Sequence, residues 1–365
     1  MIKNVDIQKS FYMIGCSKDK CFNCKYCRAK DSQTKQVKYE TIPSEINKAL
    51  VNVPVAINLY YGDPFLQTEN TYNYLVQLKT AEHKGPIIII TKGDISKVSW
   101  LKDNTFEGLD LHIAFSTFGM DHEYDKMSHK QMINNLKVDI KYKRSIEFRP
   151  ICNGINDSYE TIEGVFKLAN QYGLAIGYSG LQGKPDAVEH WKSKGYDFKP
   201  YPGYNFGHKK SISDSVQNIF DELSTKYEVP IFRKTSCLMS YVHNLGRDYN
   251  AHYYRPSEMN CNGCIMKEQC FDFKSKLSLD KELIKHLIPF EFDIVYKKAH
   301  ECILKTKKIC EFTTHDCSNI NGNIIQIKQK LTTADVRVIK WLTGYTVDAD
   351  FEETQFLSDE WYEKL

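Results

Sequence analysis

Short apolar runs alternate with amphipathic segments over the first half of the chain, and this alternation restricts the fold more than any other feature. Strands are predicted at residues 11–15, 53–60, 86–91, 111–116, 146–150 and 174–178. Helices are predicted in the segments between them. Four consecutive isoleucines at 87–90 are typical of a strand that is buried on both faces. Strands that alternate with helices favour parallel pairing, so the sequence predicts an α/β fold.

Six strands are too few for a closed eight-stranded barrel, but they suit a partial one. Residues 184–208 are rich in Gly, Pro, Lys and Tyr, which is typical of a long loop or linker. Beyond them the pattern is less regular and cysteines return. We therefore predict a partial (β/α)6 barrel of parallel strands over residues 1–195. A Cys-rich C-terminal extension, with a helix at 333–342 in its tail, is predicted over residues 196–365.

The charge balance bears on nucleic-acid binding, and the apolar runs bear on the cellular compartment. Its 365 residues include 49 basic and 46 acidic side chains, a net charge of +3 that gives no general support to nucleic-acid binding. No signal-peptide segment is recognisable at the N-terminus, and no apolar run is long enough to cross a bilayer. We expect a cytoplasmic protein with no membrane contact. In that reducing compartment its 12 cysteines would not form a disulfide framework.

Four cysteines follow the first predicted strand closely: Cys16, Cys21, Cys24 and Cys27. Thiolates at two-residue spacing can bind one metal centre because the loop folds back within a single turn. Both zinc sites and iron–sulfur clusters use this spacing. A closed zinc site would use all four thiols, whereas a cluster that also binds a further molecule through iron needs only three. The spacing itself leaves both kinds of site open.

A Gly-Asp-Pro sequence at 62–64 ends the second predicted strand, and Tyr61 precedes it. A strand end of this kind offers backbone carbonyls to an ammonium group, and the carboxylate of Asp63 adds an opposite charge. The same tripeptide is also common where any strand passes into a turn. Its position one βα unit after the cysteines favours the functional interpretation.

These two segments resemble motifs of the radical S-adenosylmethionine (SAM) superfamily. In that family a strand ends in a cysteine, a Cys-x-aromatic-Cys motif follows, and a Gly-Gly-Glu-Pro stretch one unit later binds the amino group of SAM. Here Cys24-Lys-Tyr-Cys27 matches the second motif, while Tyr61 and Asp63 replace the first Gly and the Glu of the third. The resemblance covers about residues 10–180. It departs from the family in the seven residues between Cys16 and Cys24, where three are usual.

The resemblance implies a 4Fe-4S cluster held by three thiolates, with SAM bound to the fourth iron. Cys16, Cys24 and Cys27 would be the ligands, and Cys21 is the alternative to Cys16. Contacts with SAM are implied at the ends of successive strands, at Tyr61, Gly62, Asp63, Pro64, Ser116, Arg149 and Gly180.

A second group of cysteines comprises Cys237, Cys261, Cys264 and Cys270. Four thiolates from two segments suit a closed centre, structural or electron-transferring, and the spacing permits a cluster, zinc or unligated thiols. His243 and His252 are near enough in sequence to replace a thiol. The run resembles part of the SPASM or twitch extension that holds an auxiliary cluster in many radical SAM enzymes, but no further cysteine follows at the usual short interval. The three cysteines near position 310 have no usual ligand spacing: Cys302, Cys310 and Cys317.

The resemblance further implies an enzyme that reductively cleaves SAM to a 5′-deoxyadenosyl radical, which takes a hydrogen atom from the substrate. An electron donor such as flavodoxin or ferredoxin is the implied partner, and oxidoreductase, transferase and lyase reactions are all open. We expect a peptide or small-molecule substrate. Nucleic acid is the alternative, because the tyrosine-rich stretch 249–255 could stack on bases. A non-enzymatic zinc-knuckle binding protein is the alternative from another class.

Overall fold

The structure is a computed structural model of the chain. It describes residues 52–57, 63–66, 68–125, 129–181, 189, 191–193, 195–196, 198, 212–254, 261–278, 280–297, 322–352 and 357–363. Several predicted features lie outside the described residues: the strand at 11–15, Cys16, Cys21, Cys24, Cys27, Tyr61, Gly62, Cys302, Cys310 and Cys317.

Six parallel strands form a half-barrel sheet in which strands adjacent in the chain are adjacent in the sheet. They are β1 (Val55–Ile57), β2 (Ile87–Thr91), β3 (Leu111–Thr117), β4 (Lys143–Ile151), β5 (Ile176–Gly180) and β6 (Ile231–Phe232). Every neighbouring pair is parallel. The predicted α/β class is therefore confirmed. The strands β1 to β5 correspond to the predicted strands from 53–60 onward, whereas β6 was not predicted.

Helices connect successive strands, as the alternating pattern predicts. They are α1 (Thr68–Thr80), α2 (Ser99–Lys102), α3 (His129–Lys137), α4 (Tyr159–Tyr172) and α5 (Asp214–Tyr227). Sequence signals mark both ends of α4. The Ser158 side chain accepts a hydrogen bond from the Thr161 backbone N–H, and Gly173 ends the helix in the left-handed conformation with φ of 62°.

The sheet is buried on both faces, which explains its nearly continuous apolar strands. The outer face packs Ile89, Ile113 and Phe148 against the connecting helices. The inner face carries smaller side chains such as Ala56 and Ala114. Met239 and Tyr249, which follow β6 in the chain, cover this inner face.

The chain beyond β6 is largely helical before it forms two small sheets. The helices are α6 (Thr235–Val242), α7 (Lys267–Lys276), α8 (Lys281–Leu287), α9 (Thr333–Thr343) and α10 (Glu360–Glu363). The strands are β7 (Phe292–Lys297), β8 (Gly322–Ile327), β9 (Leu331–Thr332), β10 (Thr346–Asp348) and β11 (Phe351–Glu352). One sheet has the order β10-β8-β7, and β11 pairs with β9 in the other. The helix predicted at 333–342 is thus present as α9.

The division of the chain at residue 195 stays a prediction, and β6 pairs with β5 although it comes from beyond that position. No helix among the described residues is both long enough and apolar enough to span a membrane.

Candidate active site and metal centre

Strands β3 and β4 bring polar side chains into one row on the inner face of the sheet, and a glycine of β5 lies beside them. Strand register pairs Ser116 with Glu147 and Glu147 with Gly177. Successive residues of a strand point to opposite faces, and Ile146 and Phe148 lie in the outer core, so Glu147 and Arg149 face inward. Ligands of parallel α/β sheets bind at the carboxyl ends of the strands.

Asp63 joins the turn after β1 to the end of β2. Its Oδ1 accepts hydrogen bonds from the Phe65 backbone N–H at 2.9 Å and from the Thr91 hydroxyl at 2.7 Å. Its Oδ2 accepts from the Lys92 backbone N–H at 2.5 Å. Burial raises the pKa of this carboxyl, although these hydrogen bonds oppose the rise. The side chain therefore holds its own turn against the end of β2. Its predicted contact with SAM stays a prediction.

Pro64 has a similar structural task, because its carbonyl accepts a hydrogen bond from the Thr71 hydroxyl at 2.7 Å. The Asp63 carbonyl accepts from the Leu66 backbone N–H at 3.1 Å. The first of these partners lies in α1 and the second within the turn.

A buried ion pair lies behind this turn, between Lys92 and Asp125. The two side chains are only 5% and 1% exposed. Removing one partner of such a pair leaves an uncompensated buried charge, which typically costs about 3–5 kcal/mol. The pair connects the end of β2 to the loop after β3 at the edge of the sheet where the polar row lies.

Arg149 lies at the end of β4 and contacts two other elements. Its Nε is 3.4 Å from Glu147 Oε2, and its guanidinium donates to the Thr235 hydroxyl at the start of α6 over 3.1 Å. The side chain keeps 19% of its surface exposed, so part of the guanidinium can still meet a ligand. Gly180, at the end of β5, is buried and pairs with Ile151 of β4.

Glu147 is the site residue that sequence reasoning missed. Its side chain is 2% exposed, and its Oε1 is buried without a hydrogen-bond partner. A Cβ atom at Gly177 would lie 2.8 Å from Glu147 Oε2, so the glycine makes room for this carboxylate. The available signal was its position two residues before Arg149 on a predicted strand, which puts both side chains on one face. Together they can bind a molecule that carries both a carboxylate and hydrogen-bond donors.

The four cysteines of the second group form no disulfide, and Cys237 lies near enough to the other three to interact with them electrostatically. Cys237 lies in α6, Cys270 in α7, and Cys261 and Cys264 in the turn that precedes α7. Burial raises the pKa of the Cys237 thiol, and the negative charge of Asp248 raises it further, followed by the other three cysteines. Their binding of a metal stays a prediction.

Asp248 extends this group. Among the described residues, Cys237, Asp248 and His252 are a set whose potential ligand atoms all lie within 4.8 Å of one another. Asp248 Oδ2 accepts from the His252 backbone N–H at 2.7 Å and from its Nδ1 at 2.9 Å. Asp248 Oδ1 is buried without a hydrogen-bond partner. Buried thiols beside an unsatisfied carboxylate oxygen are a donor set that fits a metal centre.

His243 does not join the cysteines, although the sequence made it a possible ligand. Its Nδ1 donates to Asp110 Oδ2 at 2.7 Å, and its ring packs against His112 at 5.4 Å between centroids. These contacts lie at the amino ends of β3 and β4, away from the polar row. Of the two histidines, only His252 lies in the cysteine group.

The tyrosines at 249–255 do not offer a stacking surface. Tyr249, Tyr253 and Tyr254 are 3%, 1% and 2% exposed. The Tyr253 hydroxyl donates to the Gly344 carbonyl at 2.6 Å, which fixes the ring in the core. The specific reason for expecting nucleic-acid binding is therefore wrong.

No family model matches the sequence, and no curated protein matches it. Among solved structures, a radical SAM methyltransferase from Sphaerobacter thermophilus is similar at 15% identity and a TM-score of 0.34. The match covers 49% of this chain and 49% of that one, so the chain spans about half the length of this neighbour.

Proposed function

We propose that the protein is a radical SAM enzyme whose active site lies at the carboxyl ends of the half-barrel strands. The observation that carries the proposal is the inward-facing row of Ser116, Glu147 and Arg149, in which one carboxylate oxygen is buried without a partner. A hydroxyl, a carboxylate and a guanidinium match the hydroxyl, ammonium and carboxylate groups of SAM. The N-terminal cysteines supply the second part of the argument.

Cys24 and Cys27, with Cys16 or alternatively Cys21, would hold the 4Fe-4S cluster, which supplies the electron that breaks the sulfonium bond of SAM. The residues described by the structure would bind and orient SAM. Arg149 would bind its carboxylate, and Glu147 would hold Arg149 while accepting a hydrogen bond from an ammonium or hydroxyl group. Asp63 would hold its own turn against the end of β2. The enclosed inner face would exclude water from the radical.

We further propose that the second cysteine group holds an iron–sulfur cluster and not zinc. A zinc ion about 2.3 Å from each thiolate would bring the sulfur atoms to about 3.8 Å from one another. Among the described residues, no three thiols have sulfur atoms that all lie within 4.8 Å of one another. This wider spacing supports a centre with several irons, which could pass electrons or bind the substrate.

The substrate remains a peptide or small molecule in this proposal, and a flavodoxin or ferredoxin is the expected electron donor. Nucleic acid is a weaker candidate because the tyrosines that suggested it are buried. The zinc-knuckle alternative predicts that purified protein contains zinc and no iron.

Electron paramagnetic resonance of the anaerobically reconstituted, reduced protein tests the proposal. SAM should change the signal of the N-terminal cluster because it binds one of the irons. The Cys24→Ala variant should lose this signal. The control variant Cys152→Ala, which removes a buried thiol outside both groups, should keep it. An iron-loaded protein whose spectrum does not respond to SAM would contradict the proposal.

A further inference from the structure

Asp248 is a buried acid that neither the predicted SAM site nor the predicted cysteine ligands include. It lies between α6 and the single helical turn His252–Tyr254, and only 2% of its surface is exposed. An acidic side chain this deeply buried requires partners for both carboxylate oxygens, because leaving a charged oxygen without one is unfavourable in the protein interior.

The two oxygens of Asp248 differ in this respect. Oδ2 is fully engaged, since the backbone N–H and the ring Nδ1 of His252 both donate to it. Oδ1 is buried and has no hydrogen-bond partner. The histidine thus fixes the orientation of the carboxylate and leaves one oxygen available for a ligand of another kind.

The surroundings of Asp248 identify that ligand as a metal ion. A carboxylate oxygen lies within 4.8 Å of Cys237 Sγ, so one ion can be reached by both residues. The backbone N–H of Asp248 donates to Cys270 Sγ at 3.4 Å, a hydrogen bond that stabilises a thiolate acceptor. Asp248 therefore contacts Cys270 through its backbone, and its side chain lies within 4.8 Å of Cys237 Sγ.

We propose that Asp248 and Cys237 bind the same iron of the second centre, which makes this iron different from those bound by Cys261, Cys264 and Cys270. His252 is the positioning residue of this carboxylate, in the way that outer partners orient metal ligands. The inference rests on the proposed iron–sulfur centre in the second cysteine group.

Mössbauer spectroscopy of protein reconstituted with ⁵⁷Fe tests this inference without measuring activity. The N-terminal cluster is first removed with Cys24→Ala and Cys27→Ala, so that all bound iron belongs to the second centre. Oxygen is a harder donor than sulfur and raises the isomer shift of the iron that it binds. We expect about a quarter of the iron in a four-iron centre to show the raised shift.

The Asp248→Asn substitution in the same background should remove the raised component while the iron content stays the same. It should also make the centre easier to reduce, because a negative ligand is lost. We expect at least a tenfold change in the ratio of reduced to oxidised centre, equal to about 59 mV for one electron. The matched control is Asp272→Asn on the exposed face of α7, where the aspartate only pairs with Lys276.

Three results would overturn the inference. The first is a Mössbauer spectrum of the iron-loaded Cys24→Ala, Cys27→Ala protein that shows only sulfur-bound iron. This protein keeps Asp248, so misfolding of the Asp248 variant cannot affect the result. The second is persistence of the raised component in Asp248→Asn. Zinc in place of iron at the second cysteine group would contradict the proposed iron–sulfur centre there. The proposed enzyme class would still hold if the N-terminal cluster of the unaltered protein responds to SAM.

Discussion

Glu147 and Arg149 are two residues apart on β4, and each limits the freedom of the other. Glu147 Oε2 lies 3.4 Å from Arg149 Nε, and Thr235 accepts a further hydrogen bond from the same guanidinium. A guanidinium that is held on two sides keeps its remaining donors in a fixed direction. A guanidinium held in this way can donate two parallel hydrogen bonds to a planar carboxylate. The flexible ammonium group of a lysine could not.

Arg149→Lys should therefore weaken SAM binding without unfolding the protein. Loss of charge-assisted hydrogen bonds costs about 1.5–3 kcal/mol, so we expect the Kd for SAM to rise roughly 10- to 100-fold. Equilibrium binding of SAM to the reconstituted protein measures this. Arg144→Lys on the same strand is the control, because Arg144 donates to the Leu136 carbonyl away from the polar row. An unchanged Kd in Arg149→Lys would remove this residue from the SAM site.

His83 predicts an acid dependence of stability. Burial lowers its pKa to about 4, although a hydrogen bond with the Gly85 backbone opposes the shift. In the unfolded chain the His83 imidazole binds a proton near pH 6.5, whereas in the folded chain it does so only near pH 4. The folded state therefore loses stability as the pH falls from about 6.5 to 4. His83→Gln should reduce this loss by on the order of 3 kcal/mol. Free energies of unfolding at pH 7 and pH 4 measure it, and equal losses in both proteins would contradict the assignment.

At the scale of elements, the strands that the sequence predicts well are those with long apolar runs. Strands β2 and β3 are entirely buried and contain several consecutive apolar residues, so their composition identifies them. Strand β6 has only two residues and is defined by its pairing with β5, which no local pattern reveals.

Candidate site residues could be predicted only where both the residue type and its position in the sequence pointed to a function. Arg149 is a candidate because it ends a predicted strand, and the second cysteine group is a candidate because of its spacing; both assignments stay predictions. Glu147 and Asp248 were missed because their importance depends on tertiary burial, which leaves one oxygen of each without a partner. His243 was placed wrongly because proximity in sequence did not reveal that it pairs with Asp110.

Asp335 connects two elements of the C-terminal region. Its Oδ2 accepts from the Thr332 backbone N–H at 2.7 Å in the capping box of α9. Its Oδ1 accepts from the Ser358 backbone N–H at 3.0 Å and from the Trp361 indole at 2.9 Å. The same carboxylate thus begins a helix and anchors the segment that contains α10.

Asp335→Ala should destabilise the C-terminal region by roughly 2–4 kcal/mol, because it removes a helix cap and leaves buried donors unpaired. Limited proteolysis should cleave the variant near residue 357 at protease concentrations that leave the parent intact. Asp272→Ala, which removes only an exposed ion pair, is the control. Equal resistance of both variants would show that Asp335 is not the anchor.

At the scale of the whole molecule, we predict different roles for the two cysteine groups: the N-terminal group is needed for SAM cleavage, and the second group for substrate turnover. The second group follows the half-barrel strands in the chain, so its loss should spare SAM cleavage and stop substrate turnover. The double variant Cys261→Ala, Cys264→Ala should therefore still form 5′-deoxyadenosine with dithionite. Because a closed metal site can contribute on the order of 10 kcal/mol to folding, its melting profile must first match that of the parent. A well-folded variant that cannot cleave SAM would contradict this assignment of roles.

Reductive cleavage of SAM is the most direct test of the central claim. Anaerobically reconstituted protein, reduced with dithionite and given SAM, should form 5′-deoxyadenosine, which chromatography detects. Cys16→Ala should abolish the product and Cys21→Ala should retain it, because Cys16 directly follows the first predicted strand. The reverse pattern would exchange the two ligands. Iron-loaded protein that forms no 5′-deoxyadenosine, or protein that binds zinc in place of iron, would contradict the account as a whole.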